Sequence, residues 1–151
     1  MSIQEIDIDR VNELPKRKLP EDIDLNISVF RNRWSWKTWH GFWGNIKEFF
    51  YALRPAWHRA TKGYCRMDTW NVDYTLTVYL IKVLTEYRNV TNGSPVMFDS
   101  FEEWIAAIDE CIDQLVFSMR EISTQEEYQE QCEARKKAFA FLGEYLPHIW
   151  W

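Results

Sequence analysis

Two helix-opening signatures constrain this chain more than any other feature: Ser100-x-x-Glu103 and Thr124-x-x-Glu127, each leading straight into an amphipathic stretch. A Ser or Thr at the N-cap accepts the backbone N–H three residues on, while the Glu there reaches back to the cap, so two otherwise unpaired donors are satisfied. After the first signature, Trp104, Ile105, Ile108, Cys111, Ile112, Leu115, Val116 and Met119 recur at spacings of three and four, which predicts a helix ending near Ile122. After the second, Tyr128, Cys132, Arg135, Ala138, Phe139 and Leu142 trace another helix to Gly143, with Pro147 as its stop. Consecutive amphipathic helices must bury their apolar faces against other elements, so the expected fold is mainly α.

Upstream, Trp36, Trp39, Trp43, Ile46, Phe49, Phe50 and Leu53 lie on one broad helical face, and Pro55 should kink or restart that helix before Gly63 caps it. Asp68 stands where the N-cap of the next helix belongs, its side chain accepting from the backbone of Trp70 or Asn71. Trp70, Tyr74, Val78, Ile81, Leu84 and Tyr87 or Arg88 carry that helix to the Asn92-Gly93 and Pro95 stop. The expectation is a compact bundle of about four helices over residues 34–146, with an extended arm at 1–33 and an aromatic tail at 147–151. Trp70 and Trp104 should both be buried without touching each other. Within the arm, Ile23, Leu25, Ile27 and Val29 alternate at period two, as a strand with one buried face requires. It would pair with Ile3 to Ile8 or with another chain, or lie extended on the helices.

Composition closes off several classes. With 46% hydrophobic residues and only 5 Gly and 5 Pro in 151 residues, the chain is built to fold, and one core is the default at this length. No apolar run approaches the length of a membrane span, and the N-terminus lacks the basic and apolar segments of a secretion signal. Cys65, Cys111 and Cys132 form an odd set without C-x-x-C spacing, which fits reduced thiols in a cytoplasm. Nine Trp is a high count, and some of these rings should lie at a surface or interface.

Catalytic and cofactor signatures are missing. His40, His58 and His148 form no zinc-ligand pair, no nucleophile elbow occurs, and the glycines are scattered singly with no phosphate loop. No enzyme activity, no metal and no cofactor is therefore expected. One acidic constellation is chemically suggestive: Glu110-x-x-Asp113 and Glu127-x-x-Glu130 place paired carboxylates one turn apart on successive helices. Such pairs hold magnesium in all-α nucleotide pyrophosphohydrolases; the bland alternative is a solvated acidic face. Charge is polarised. Residues 31–66 carry eight bases against one acid, a net of +7, and residues 99–133 carry eleven acids against Arg120 alone, a net of −10. The two halves would complement each other within the domain or across a homo-oligomer, or the basic Trp-rich segment would track phosphates and stack on bases.

The stretch from Thr61 to Tyr74, Thr-Lys-Gly-Tyr-Cys-Arg-Met-Asp-Thr-Trp-Asn-Val-Asp-Tyr, resembles a motif of small, functionally unassigned proteins of tailed bacteriophages and prophages. Their pattern is roughly R-G-[YF]-[SD]-x-x-D-x-W-x-x-D, followed by a helix, a Gly-x-Pro turn and a helix opening with E-E-W. The counterparts here are Gly93-Ser94-Pro95 and Glu102-Glu103-Trp104, so the likeness spans about residues 31–120, with Cys65 standing where Ser or Asp is usual. Gly63, Asp68, Trp70, Asp73 and Trp104 read as its structural residues, with Asp73 placed to pair with Arg59 or Arg66. The resemblance implies a phage setting and brings no activity with it. Three functions stay open: a phage accessory protein that binds and modulates a host or anti-phage defence protein, a virion or assembly component, and a nucleic-acid binder acting through residues 31–66. Candidate interaction residues are Arg31, Arg33, Trp34, Trp36, Arg59, Arg66, Trp150 and Trp151.

Overall fold

The computed structural model describes residues 14–23, 25 and 39–149. Most of the expected strand at 23–29, together with Arg31, Arg33, Trp34, Trp36, Trp150 and Trp151, lies outside them. The fold is mainly α, and no strand occurs among the described residues. Among the described residues four long helices carry it, namely α1 (Trp39–Lys62), α3 (Val72–Val90), α4 (Phe101–Phe117) and α5 (Gln125–Tyr145). A short helix α2 (Arg66–Trp70) precedes α3, and a 3-10 turn (Leu146–His148) follows α5. The chain divides into two compact units, one formed by Met1–Asp24 with Tyr79–Trp151 and the other by Leu25–Val78.

In the first of these units, Ser100 and Thr124 both cap their helices, and the reciprocal box closes in full at Thr124. The Ser100 hydroxyl accepts the Glu103 N–H at 3.1 Å, and Glu103 reaches one residue further back than expected, to the Asp99 N–H at 3.0 Å. Thr124 accepts the Glu127 N–H at 3.2 Å while Glu127 accepts the N–H groups of Thr124 and Ser123 at 3.0 and 2.7 Å. Helices α4 and α5 run antiparallel, since Trp104 stacks on Phe141 at 5.9 Å while Cys111 lies against Ala138 and Ser118 against Arg135. The buried stripe of α5 is Gln131, Ala134, Ala138 and Leu142, and its small residues let the helix approach the broad apolar face of α4 closely. Trp104 is 0% exposed and sits among Phe98, Phe141 and Tyr145.

Two helix ends differ from expectation. Helix α4 stops at Phe117 and not near Ile122, because the chain tightens into three-residue turns: Met119 donates to the Val116 carbonyl and Arg120 to that of Phe117. The Gln131 amide and Arg135 guanidinium then donate to the carbonyls of Arg120 and Ser118, which a longer helix would have used internally. Helix α5 runs through Gly143 to Tyr145, and Gly143 does not adopt the left-handed conformation of a cap. Tyr145 packs on Phe98 at 5.3 Å and on Phe141 at 4.9 Å, which rewards the extra turn before Pro147 ends it.

In the unit of residues 25–78, α1 runs unbroken with Pro55 inside it, where a restart was one expectation. Gly63, at φ +79°, ends it as predicted, and its N–H bonds the Arg59 carbonyl at 3.0 Å. What reads in sequence as one helix from Asp68 to Asn92 is two. Asn71 takes φ −135° and ψ 69°, which breaks the helical path between α2 and α3, and its carbonyl starts α3 by accepting the Thr75 N–H. The break removes Trp70 from the phase of Tyr74 and Val78, so Trp70 is 92% exposed where burial was expected. Asp68 is likewise not the N-cap. Cys65 holds that position, and Asp68 sits three residues on, accepting the Cys65 N–H at 2.8 Å.

Candidate functional site

Three places carry enough polar or exposed apolar groups to act on something. The first is the junction of α1 and α2. Arg59 Nε donates to Asp68 Oδ2 at 2.9 Å and its Nη2 to Asp68 Oδ1, a two-pronged grip that ties the end of α1 to the first turn of α2. The hydrogen bond from Arg59 is the main reason the Asp68 carboxyl is lowered to about 2, and the Cys65 N–H adds to it. Arg59, singled out as an interaction residue, thus holds the motif together, while Arg66 at the start of α2 is exposed. Asp73 stands in the first turn of α3, where its carboxylate favours the helix dipole.

The same unit presents large side chains to solvent. Phe50, Leu53 and Trp57 of α1, at spacings of three and four, are 65%, 41% and 68% exposed. Phe50 and Leu53 belong to the face that periodicity assigned to packing, so that part of the reading is corrected. The face carries Arg54 within the same stripe, and Tyr64, Trp70, Val72 and Leu76 are exposed in the same unit. The α1 stripe by itself is aromatic, aliphatic and basic at once.

The second place is the acidic side of α4 and α5. Asp113, Glu130 and Glu133 line an open groove of about 630 Å³ with Val116 and Phe117, and Arg120 and Lys137 complete its rim. The two carboxylate pairs noted in the sequence are not assembled there: Glu127 is spent on the α5 cap, and Glu110 and Glu127 do not line the groove. Among the described residues no group of three or more His, Cys, Asp or Glu side chains is placed to hold a metal ion.

The third place was not legible in the sequence. Residues 14–23 lie across the C-terminal end of α3 and the middle of α4. Asn89 takes both backbone groups of Arg17, accepting its N–H at 2.8 Å and donating to its carbonyl at 2.9 Å. The Arg17 guanidinium bonds Asp109 Oδ1 at 3.0 Å and Asp113 through its other amino group. Arg88 Nη1 donates to the Pro15 carbonyl at 2.6 Å, and the same guanidinium pairs with Asp109 at 3.1 Å. Burial opposes the charge of Arg17, but its hydrogen bonds and charge pairing with Asp113 and Asp109 outweigh that and raise its pKa. The one sequence signal was the spacing of Asp109 and Asp113, four apart and so on one helix face; that Arg17 would meet them could not be seen.

Among the described residues no helix is long and apolar enough to cross a membrane. In comparison with known proteins, the chain matches no family model, no curated protein and no solved structure.

Proposed function

We propose that the chain is a non-enzymatic bacteriophage accessory protein that binds and modulates a host or anti-phage defence protein in the host cytoplasm, docking through the basic aromatic surface of residues 25–78. The observation that carries this reading is the α1 stripe of Phe50, Leu53 and Trp57, all exposed, with Arg54 among them. Seven residues of helix place the end rings about 10 Å apart, the anchor spacing with which an amphipathic helix enters an apolar groove. Trp, Tyr and Arg dominate binding hot spots, and a contiguous apolar surface rimmed by charge marks an interaction site. The net +7 of residues 31–66 selects an acidic partner. The phage setting rests on the resemblance of residues 61–74.

Exposed Trp57 and Tyr64, in a unit that also exposes Arg54, Lys62 and Arg66, favour a second reading as well, stacking on single-stranded nucleic acid. Aliphatic Leu53, Val72 and Leu76 on the same unit favour the protein partner, because they offer nothing to a base or a phosphate. The test is a double variant, Arg54→Glu with Trp57→Ala, compared with the parent by quantitative affinity capture from host cells. Both side chains are exposed, so its melting should stay close to the parent's while the specific partner is lost. Retained capture refutes the docking face. Titration of the parent with single-stranded DNA at two salt concentrations decides the second reading, since tight binding that falls steeply with salt would replace the first.

A further inference from the structure

The segment at 14–23 has the features of a bound ligand more than those of a structural element. None of its residues is buried, and Pro15, Lys16, Lys18 and Leu19 are exposed. It forms no helix or strand, and the bonds that hold it across α3 and α4 are polar ones to Arg88, Asn89, Asp109 and Asp113, with a looser ion pair of Asp22 to Arg120 at 3.8 Å past the end of α4. Those four receptor side chains divide the recognition between them. Asn89 reads both backbone groups of one residue, a contact that any residue except proline satisfies. Asp109 and Asp113 demand a planar, doubly donating cation, which is arginine's geometry and not lysine's. Arg88 captures a carbonyl two residues before that arginine. Part of the receptor is tied together by contacts of its own, because Arg88 pairs with Asp109 at 3.1 Å from the α3 side.

We propose that Arg88, Asn89, Asp109 and Asp113 form a recognition site for an extended, arginine-bearing peptide segment of a partner protein, and that the chain's own residues 15–17 occupy it as a displaceable internal ligand. The site belongs to a different unit from the α1 stripe, and neither reading depends on the other. Exchange is favoured because Pro15 and Leu19 are exposed and the other apolar side chains of the segment, Leu14, Pro20 and Ile23, are only half-buried at most, so a competitor has little apolar contact to replace. The opposing term is effective concentration, on the order of millimolar for a ligand tethered in the same chain, so an incoming segment must offer more contacts than residues 15–17 or arrive at high local concentration.

The probe is a fluorescent synthetic peptide of residues 11–21, used with the full-length chain. In the Arg17→Ala chain the tethered ligand has lost its cation, so anisotropy should show the peptide binding at least about tenfold more tightly than to the parent. A peptide with Arg17→Lys should lose about tenfold, and Asn89→Ala added to the Arg17→Ala chain should abolish capture. A large excess of peptide over the parent chain should raise hydrogen exchange of the Arg17 N–H, which Asn89 accepts in the closed state, while α3 and α4 stay protected. Equal binding by the Arg17→Ala chain and the parent overturns the proposal, as does indifference to Arg17→Lys in the peptide. So does an Arg17→Ala chain that no longer folds, since a displaceable ligand cannot be required for folding.

Discussion

Replacing Asp68 by Asn tests the account of the α1–α2 junction most directly. As a simple N-cap, Asp68 would tolerate Asn at almost no cost, because both side chains accept a backbone N–H. The observed position predicts otherwise. Asn retains an oxygen for the Cys65 N–H but turns an amide group, itself a donor, toward the guanidinium of Arg59. The Asp68 carboxyl titrates at about 2 against an ordinary 3.8. At 1.36 kcal/mol for each pH unit this corresponds to somewhat over 2 kcal/mol; allowing for solvent at the edge of the pair reduces it to about 1–2 kcal/mol. The sign follows from linkage: the folded pKa lies below the unfolded one, so the contribution is complete above about pH 4 and is lost as pH falls toward 2. Urea unfolding followed by far-UV circular dichroism should place Asp68→Asn about 1–2 kcal/mol below the parent at pH 7, with the gap closing between pH 4 and 2. Other carboxylates titrate in the same range, and the difference between the two chains isolates this one. A variant as stable as the parent at pH 7, or a gap indifferent to pH, refutes the ion-pair account.

The two tryptophans of the motif should separate cleanly in thermal melts: Trp104→Ala should cost about 3–5 kcal/mol, while Trp70→Ala should stay within about 0.5 kcal/mol of the parent. Equal losses would mean that Trp70 is packed. The thiols give a chemical readout. Burial pushes the Cys111 thiol up to about 12 and Cys65 is buried, whereas Cys132 is half-buried. A disulfide reagent at pH 8 should therefore titrate one thiol in the native chain and three in denaturant, and rapid native reaction of Cys111 would contradict the α4–α5 packing.

Sequence alone determined what depends on near neighbours. The caps at Ser100 and Thr124, the left-handed stop at Gly63 and the buried stripe of α4 all follow from residues within a turn or two of each other, where a single spacing decides the hydrogen bonds. The fold class follows from those elements. Tertiary structure decided the rest. The backbone break at Asn71 is not marked by Gly or Pro, yet it reassigns Trp70 from core to surface and Asp68 from cap to ion pair. The end of α5 was moved past Gly143 by rings that Tyr145 meets only in the folded unit. Arg17 finds Asp109 and Asp113 over more than ninety intervening residues, and no periodicity encodes a pairing at that distance. Its partners are chosen by where α3 and α4 come to lie, because charge and hydrogen-bonding geometry act through space and are blind to position along the chain.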